Sequence, residues 1–132
     1  MGPAPRTTVL AARGVRRRVT LGEGGEVQLF WDNWSLGMSR GEFMDFAGVV
    51  AEAVGRPVRC GELARGCCGM VSRCSMGQIM VSHGDLGLWF SPEEFEELHR
   101  LTASARGQLA DAEPPPAFGI PWTTEIGRIS AN

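Results

Sequence analysis

Four cysteines, Cys60, Cys67, Cys68 and Cys74, crowd the middle of the chain, with Met70, Met76, Met80 and His83 close by. Thiolate, thioether and imidazole ligands suit zinc or a soft ion such as Cu(I), so this set raises metal binding or thiol redox chemistry. The spacing works against both. C-x6-C-C-x5-C contains no C-x-x-C pair and matches no zinc-knuckle pattern. On a strand running from Cys67 to Cys74, Cys67 and Cys68 point to opposite faces. Cys68 and Cys74 then share a face but stand about 20 Å apart. The favoured expectation is small, half-buried thiols and no cofactor, since free cysteine commonly behaves as a small hydrophobe. A metal or redox role for Cys60, Cys67, Cys68, Cys74 and His83 is the alternative. His83 itself falls at an inward strand position, where a hydrogen-bonded core or rim role is favoured over ligation.

A second cluster is basic. Arg16, Arg17 and Arg18 follow Arg13, and all 13 basic residues are arginine. On a strand Arg16 and Arg18 share a face that Phe30 on the next strand can join, the kind of surface that holds single-stranded nucleic acid. A net charge of −2 and a pI of about 5.7 weigh against binding by bulk electrostatics, so nucleic acid is the weaker reading. No Ser-His-Asp order, Walker loop, G-x-G-x-x-G or H-E-x-x-H occurs. An enzyme is the less favoured class.

The elements that must position these residues come from a duplication. Ala12 to Gly55 aligns without a gap on Ala64 to Gly107, each residue meeting its partner 52 positions on, and 12 of the 44 pairs are identical. Among them are Val19/Val71, Leu36/Leu88, Ser39/Ser91, Glu42/Glu94, Phe43/Phe95 and Gly55/Gly107. A tandem repeat governs the fold and is read first.

Each copy carries the same punctuation. Val15 to Leu21 is a candidate strand closed by the turn Gly22-Glu23-Gly24-Gly25. Val27, Leu29 and Trp31 then alternate with polar or outward residues at period two. Asp32-Asn33 and Gly84-Asp85 read as two-residue hairpin turns, followed by Trp34, Leu36 and Met38 in one copy and Leu86, Leu88 and Phe90 in the other. Ser39-Arg40-Gly41-Glu42 and Ser91-Pro92-Glu93-Glu94 fit the S-x-x-E capping box, and apolar residues at helical spacing follow each. Gly55 and Gly107 stand where a left-handed residue ends a helix.

The expected fold is α+β, a pseudo-twofold tandem repeat of a strand-strand-strand-helix unit. Its two helices would lie on one face of a six-stranded antiparallel sheet or of two packed three-stranded sheets. Residues 1–11 form an arm that is loose or partly paired, 12–55 the first repeat, 56–63 a linker, 64–107 the second repeat and 108–132 a proline-rich linker and apolar tail. The expected core is Val27, Leu29, Leu36, Phe43, Phe46 and Val50 with Ile79, Val81, Leu88, Phe95 and Leu98. A lone 44-residue unit buries too little surface to stand by itself, so the copies complete each other.

Function is expected where the copies differ. Trp89 faces away from Leu88 and Phe90, and its partner is Gly37. Phe30 in the first copy and Cys68, Met70, Met80 and Trp89 in the second make the outward faces less polar than solvated sheet faces should be. Beyond Pro114-Pro115-Pro116, the residues Phe118, Ile120, Trp122, Ile126 and Ile129 are spaced for docking, on this domain or on another chain. The favoured function is a small non-catalytic binding or accessory protein, with a protein partner or a homo-oligomer recognised through Phe30, Trp89 and these tail residues. No apolar run is long enough to span a membrane, no signal-peptide core follows Met1, and the expected location is cytoplasmic.

Overall fold

The protein folds as two antiparallel four-stranded meanders, each followed by a helix, in a computed structural model that describes residues 7–111. The first sheet has the order β1 (Thr7–Ala12), β2 (Arg17–Gly22), β3 (Val27–Trp31) and β4 (Trp34–Met38), and α1 (Arg40–Ala53) follows. The second has the order β5 (Gly61–Arg65), β6 (Gly69–Arg73), β7 (Ile79–His83) and β8 (Leu86–Phe90), and α2 (Pro92–Asp111) follows. The α+β class and the repeat stand. The tail positions Phe118, Ile120, Trp122, Ile126 and Ile129 lie outside the described residues.

Three expectations on the elements change. Each repeat has four strands where three were expected, because part of the anticipated arm forms β1 and part of the anticipated linker forms β5. Both extra strands carry a bulge, between Val9 and Ala11 and between Glu62 and Ala64. A bulge turns two successive side chains to one face and so hides the period-two signal. Leu10 and Leu63, the residues inside the bulges, are buried. The strands expected from Val15 and from Cys67 begin instead at Arg17 and Gly69, leaving Arg16, Cys67 and Cys68 in turns. Helix α2 passes through Gly107. Leu109 is fully buried one turn beyond Ala105 and extends the apolar stripe, whereas α1 stops at Gly55, which has φ +82° and is followed by Arg56 and Pro57.

Both capping boxes form. Ser39 Oγ accepts from Glu42 N at 3.1 Å while Ser39 N donates to Glu42 Oε1 at 2.8 Å. The equivalent bonds at Ser91 and Glu94 measure 3.1 and 2.9 Å. The hairpin turns hold a positive φ at their first central residue, 55° at Asp32 and 60° at Gly84.

The helices are exchanged between the repeats. α1, from the first copy, lies against β5 and β6, while α2, from the second, lies against β1 and β2. The helices also pack on each other, and the Arg40 guanidinium donates to the Leu109 carbonyl at 3.0 Å. That bond sets the last turn of α2 beside the first turn of α1. One core results, joining Val19, Leu29, Trp31, Phe43 and Val50 to Val71, Val81, Phe90, Leu98 and Leu101. Of the expected core residues Leu88 alone is only partly buried; it sits on the edge strand β8.

Candidate functional site

The exchange of helices gives one carboxylate in each helix the same task. Asp45 of α1 and Glu97 of α2 are partners in the repeat alignment, and each holds the first hairpin of the opposite repeat. Asp45 accepts from the backbone N–H of Cys67 at 3.0 Å and of Cys68 at 3.2 Å. Glu97 accepts from Arg17 and, at 3.4 Å, from Arg13 Nε. Arg17 occupies the place that Gly69 takes in the second copy. Gly69 cannot change in kind: a Cβ there would sit 2.1 Å from the Ser82 carbonyl oxygen, a backbone atom that has no room to yield.

Arg17 is the hub of the seam. Its guanidinium carbon lies 4.1 Å from the centroid of Trp31, and it bonds both Asp32 oxygens at 2.8 and 2.9 Å. Trp31 in turn meets Phe90 of the other repeat edge-to-face, centroids 5.4 Å apart. The hydrogen bonds from Arg17 hold the carboxyls of Asp32 and Glu97 below the usual carboxylate range, and the backbone N–H of Ser39 does the same for Glu42. Carboxyls depressed in the folded state add stability above their unfolded pKa, about 4, and lose it as pH falls through their lower folded values. Urea midpoints are therefore expected to be level from pH 7 to about 5 and to fall below about 4. Arg17→Met should lower the midpoint at pH 7 and flatten this acid limb, while Glu42 keeps part of it.

The cysteines do not converge. Cys60 and Cys67 are exposed, Cys68 and Cys74 half-buried, and all four are free. Among the described residues no group of three or more His, Cys, Asp or Glu side chains is placed to hold a metal ion. The hydrogen bond with the Cys67 side chain pushes the Cys68 thiol up, away from the thiolate that nucleophilic or redox chemistry uses. His83 packs edge-to-face on Phe46, centroids 5.9 Å apart, at the position Trp31 fills in the first copy.

The outward faces of the two sheets have diverged. Across the first run the rows Ala12–Arg18–Phe30–Ser35 and Val9–Thr20–Gln28–Gly37. Arg18 lies over the Phe30 ring at 4.3 Å, on the surface where a base would stack, and also donates to the Val15 carbonyl. Arg16 sits in the turn before β2, off the strand that carries Arg18. Across the second sheet run Arg65–Met70–Ser82–Gly87 and Glu62–Ser72–Met80–Trp89. Trp89 is 59% exposed on the edge strand, and Leu86 at the start of that strand is 50% exposed. The Met80 sulfur leans over Gly87, 3.5 Å from where a Cβ would stand. Arg65 is turned along the face by its ion pair with Glu62 at 2.7 Å and meets the Met70 sulfur at 3.2 Å.

The inward-outward parity that predicted Trp89 as outward-facing came from the sequence. The seam of Arg17, Asp32 and Glu97 did not, because its partners lie up to 80 residues apart and belong to exchanged elements. No family model, curated protein or solved structure matches this chain. Among the described residues no helix is long and apolar enough to cross a membrane.

Proposed function

We propose that this is a non-catalytic protein-binding module whose recognition surface is the outward face of the second sheet. The observation that carries the reading is Trp89, a large aromatic held 59% exposed on a rigid strand beside Met80. Tryptophan is the side chain most enriched at the energetic centre of interfaces, and methionine adapts its shape to different apolar partners. Nothing inside the domain requires a tryptophan there, since the repeat-equivalent position is Gly37 and its sheet forms without one.

Size selects the partner. Four strands at about 4.8 Å spacing and five residues at about 3.3 Å give a flat area of roughly 250 Å². A stable protein dimer needs about 800 Å² from each side, so this face alone suits one short apolar segment of a partner protein rather than a second copy. Among the described residues β8 has β7 as its single strand neighbour, and its other edge, with no charged residue from Leu86 to Phe90, lets such a segment add backbone bonds to its apolar contacts.

A photo-crosslinking residue at Met80, introduced in the native host, is expected to trap a discrete adduct. The same group at Arg100, exposed on α2, should not. Trp89→Glu should abolish the adduct while leaving the unfolding free energy from urea titration within about 0.5 kcal/mol of the parent, as for other exposed sites. An adduct that survives Trp89→Glu, or forms equally from position 100, contradicts the assignment.

A further inference from the structure

The outward face of the first sheet is divided by charge along β2. At one end the turn into β2 carries Arg16, and Arg18 follows two residues on. At the other end the turn Gly22-Glu23-Gly24-Gly25-Glu26 carries two carboxylates and no base. Between them lies a concavity of about 430 Å³, with Val9 and Gln28 at its sides and Thr20 at its floor.

The charges that border it lack partners. Among the described residues no carboxylate pairs with Arg18, whereas Arg17 beside it binds Asp32 and Glu97, and Arg65 on the second sheet binds Glu62. The Arg18 guanidinium is held in place all the same: it lies 4.3 Å from the Phe30 ring centroid and gives one N–H to the Val15 carbonyl at 3.3 Å. Glu26 pairs with no cation among the described residues, and its carboxylate lies along the sheet, where a Cβ on Gly22 would collide with it.

Thr20 supplies an independent sign. It is 6% exposed, and its hydroxyl makes no hydrogen bond among the described residues, unlike that of buried Thr102, which donates to the Leu98 carbonyl at 2.9 Å. A nearly buried hydroxyl that lines a concavity takes its partner from whatever fills the space.

We propose that this face binds an extended segment of a partner protein carrying an acidic and a basic residue four positions apart. Charge complementarity selects the occupant. Arg18 and Gly22, over which Glu26 lies, stand four residues apart on β2, about 13 Å. In an extended segment laid along the strand, side chains i, i+2 and i+4 share a face at that same spacing. A carboxylate at one end meets the Arg18 guanidinium, a cation at the other meets Glu26, and a hydroxyl or amide at the middle position meets Thr20. The acidic end weighs against nucleic acid, whose phosphates would bring like charge to Glu26. This site is separate from the Trp89 face and takes a polar segment where that face takes an apolar one.

Titration of the full-length, isotope-labelled protein with the blocked pentapeptide Glu-Val-Thr-Val-Lys, followed by NMR, tests this. Saturable shifts are expected at the amides of Arg18, Thr20 and Gln28, and none at Met80 or Trp89. Lys-Val-Thr-Val-Lys and Glu-Val-Thr-Val-Glu should bind the parent at least about tenfold more weakly, since each sets like charges together at one end. Arg18→Glu should come to prefer Lys-Val-Thr-Val-Lys, and Glu26→Lys should come to prefer Glu-Val-Thr-Val-Glu. These gained affinities also show that each variant is folded. Equal binding of the three peptides by the parent overturns the proposal, as do shifts that never saturate, shifts confined to the Trp89 face, or variants that keep the parent's preference. Tighter binding of oligothymidylate than of Glu-Val-Thr-Val-Lys at the same amides overturns it in favour of nucleic acid.

Discussion

Replacing Phe43 with alanine is expected to remove about 3–5 kcal/mol of unfolding free energy, seen as a lower urea midpoint at an unchanged slope. Phe43 has no exposed surface, and it lies on the face of α1 that carries Phe46, Ala47 and Val50 into the core. Its removal forfeits the transfer energy of a ring and leaves a cavity between a helix of one repeat and the sheet of the other. A domain of this size has about 5–15 kcal/mol in total, so the loss is a large share. Phe95→Ala, at the equivalent position and 4% exposed, should cost a similar amount. Trp89→Ala deletes a larger ring and should cost within about 0.5 kcal/mol, because that ring stands in solvent. A Trp89→Ala loss equal to that of Phe43→Ala would mean that the faces are wrongly assigned.

Much of this fold was legible because the same local chemistry is written twice. Ser39 and Ser91 announce helix starts through a bond pattern that depends only on residues three apart. Asp32-Asn33 and Gly84-Asp85 fix hairpins through two turn positions, and period-two alternation then separates Leu29 from Phe30 and Leu88 from Trp89. All of these are short-range signals. What failed to show was either irregular or long-range. The bulges at Leu10 and Leu63 broke the alternation that would have marked β1 and β5. Gly107 looked like a helix end because its partner Gly55 is one; Leu109, two residues on, finds a buried site that Pro57 denies to the first copy.

The exchange of helices was hidden for a deeper reason. An amphipathic helix presents the same stripe whether it lies on the preceding sheet or on the next one, so Phe43, Phe46 and Val50 are equally apolar in both arrangements. Asp45 and Glu97 carried a faint trace, as acidic residues at equivalent positions on each helix. Their partners could not be read from spacing: one binds backbone N–H groups of Cys67 and Cys68, the other binds Arg13 and Arg17. Trp89 was legible as outward-facing.

The second large effect follows from that exchange. Severed between Arg59 and Cys60, the chain gives one piece with β1 to β4 and α1, and one with β5 to β8 and α2. In the first piece the sheet has lost α2 from its inner face, and α1 has lost the β5–β6 surface it lies on. The second piece is in the mirror situation. Neither should hold a fold, since units of this size are marginal even with a complete core. Mixed in equal amounts, they should recover the native state, because every contact of the seam, from Arg17 with Glu97 to Trp31 with Phe90, is available between them. The direct measurement is the amide NMR spectrum of each fragment alone and of the mixture: collapsed spectra for each alone and a dispersed, native-like spectrum on mixing. A fragment 1–59 that is dispersed and monomeric by itself, with the α1 amides protected, would show that α1 packs on its own sheet, and the interlocked architecture would be wrong.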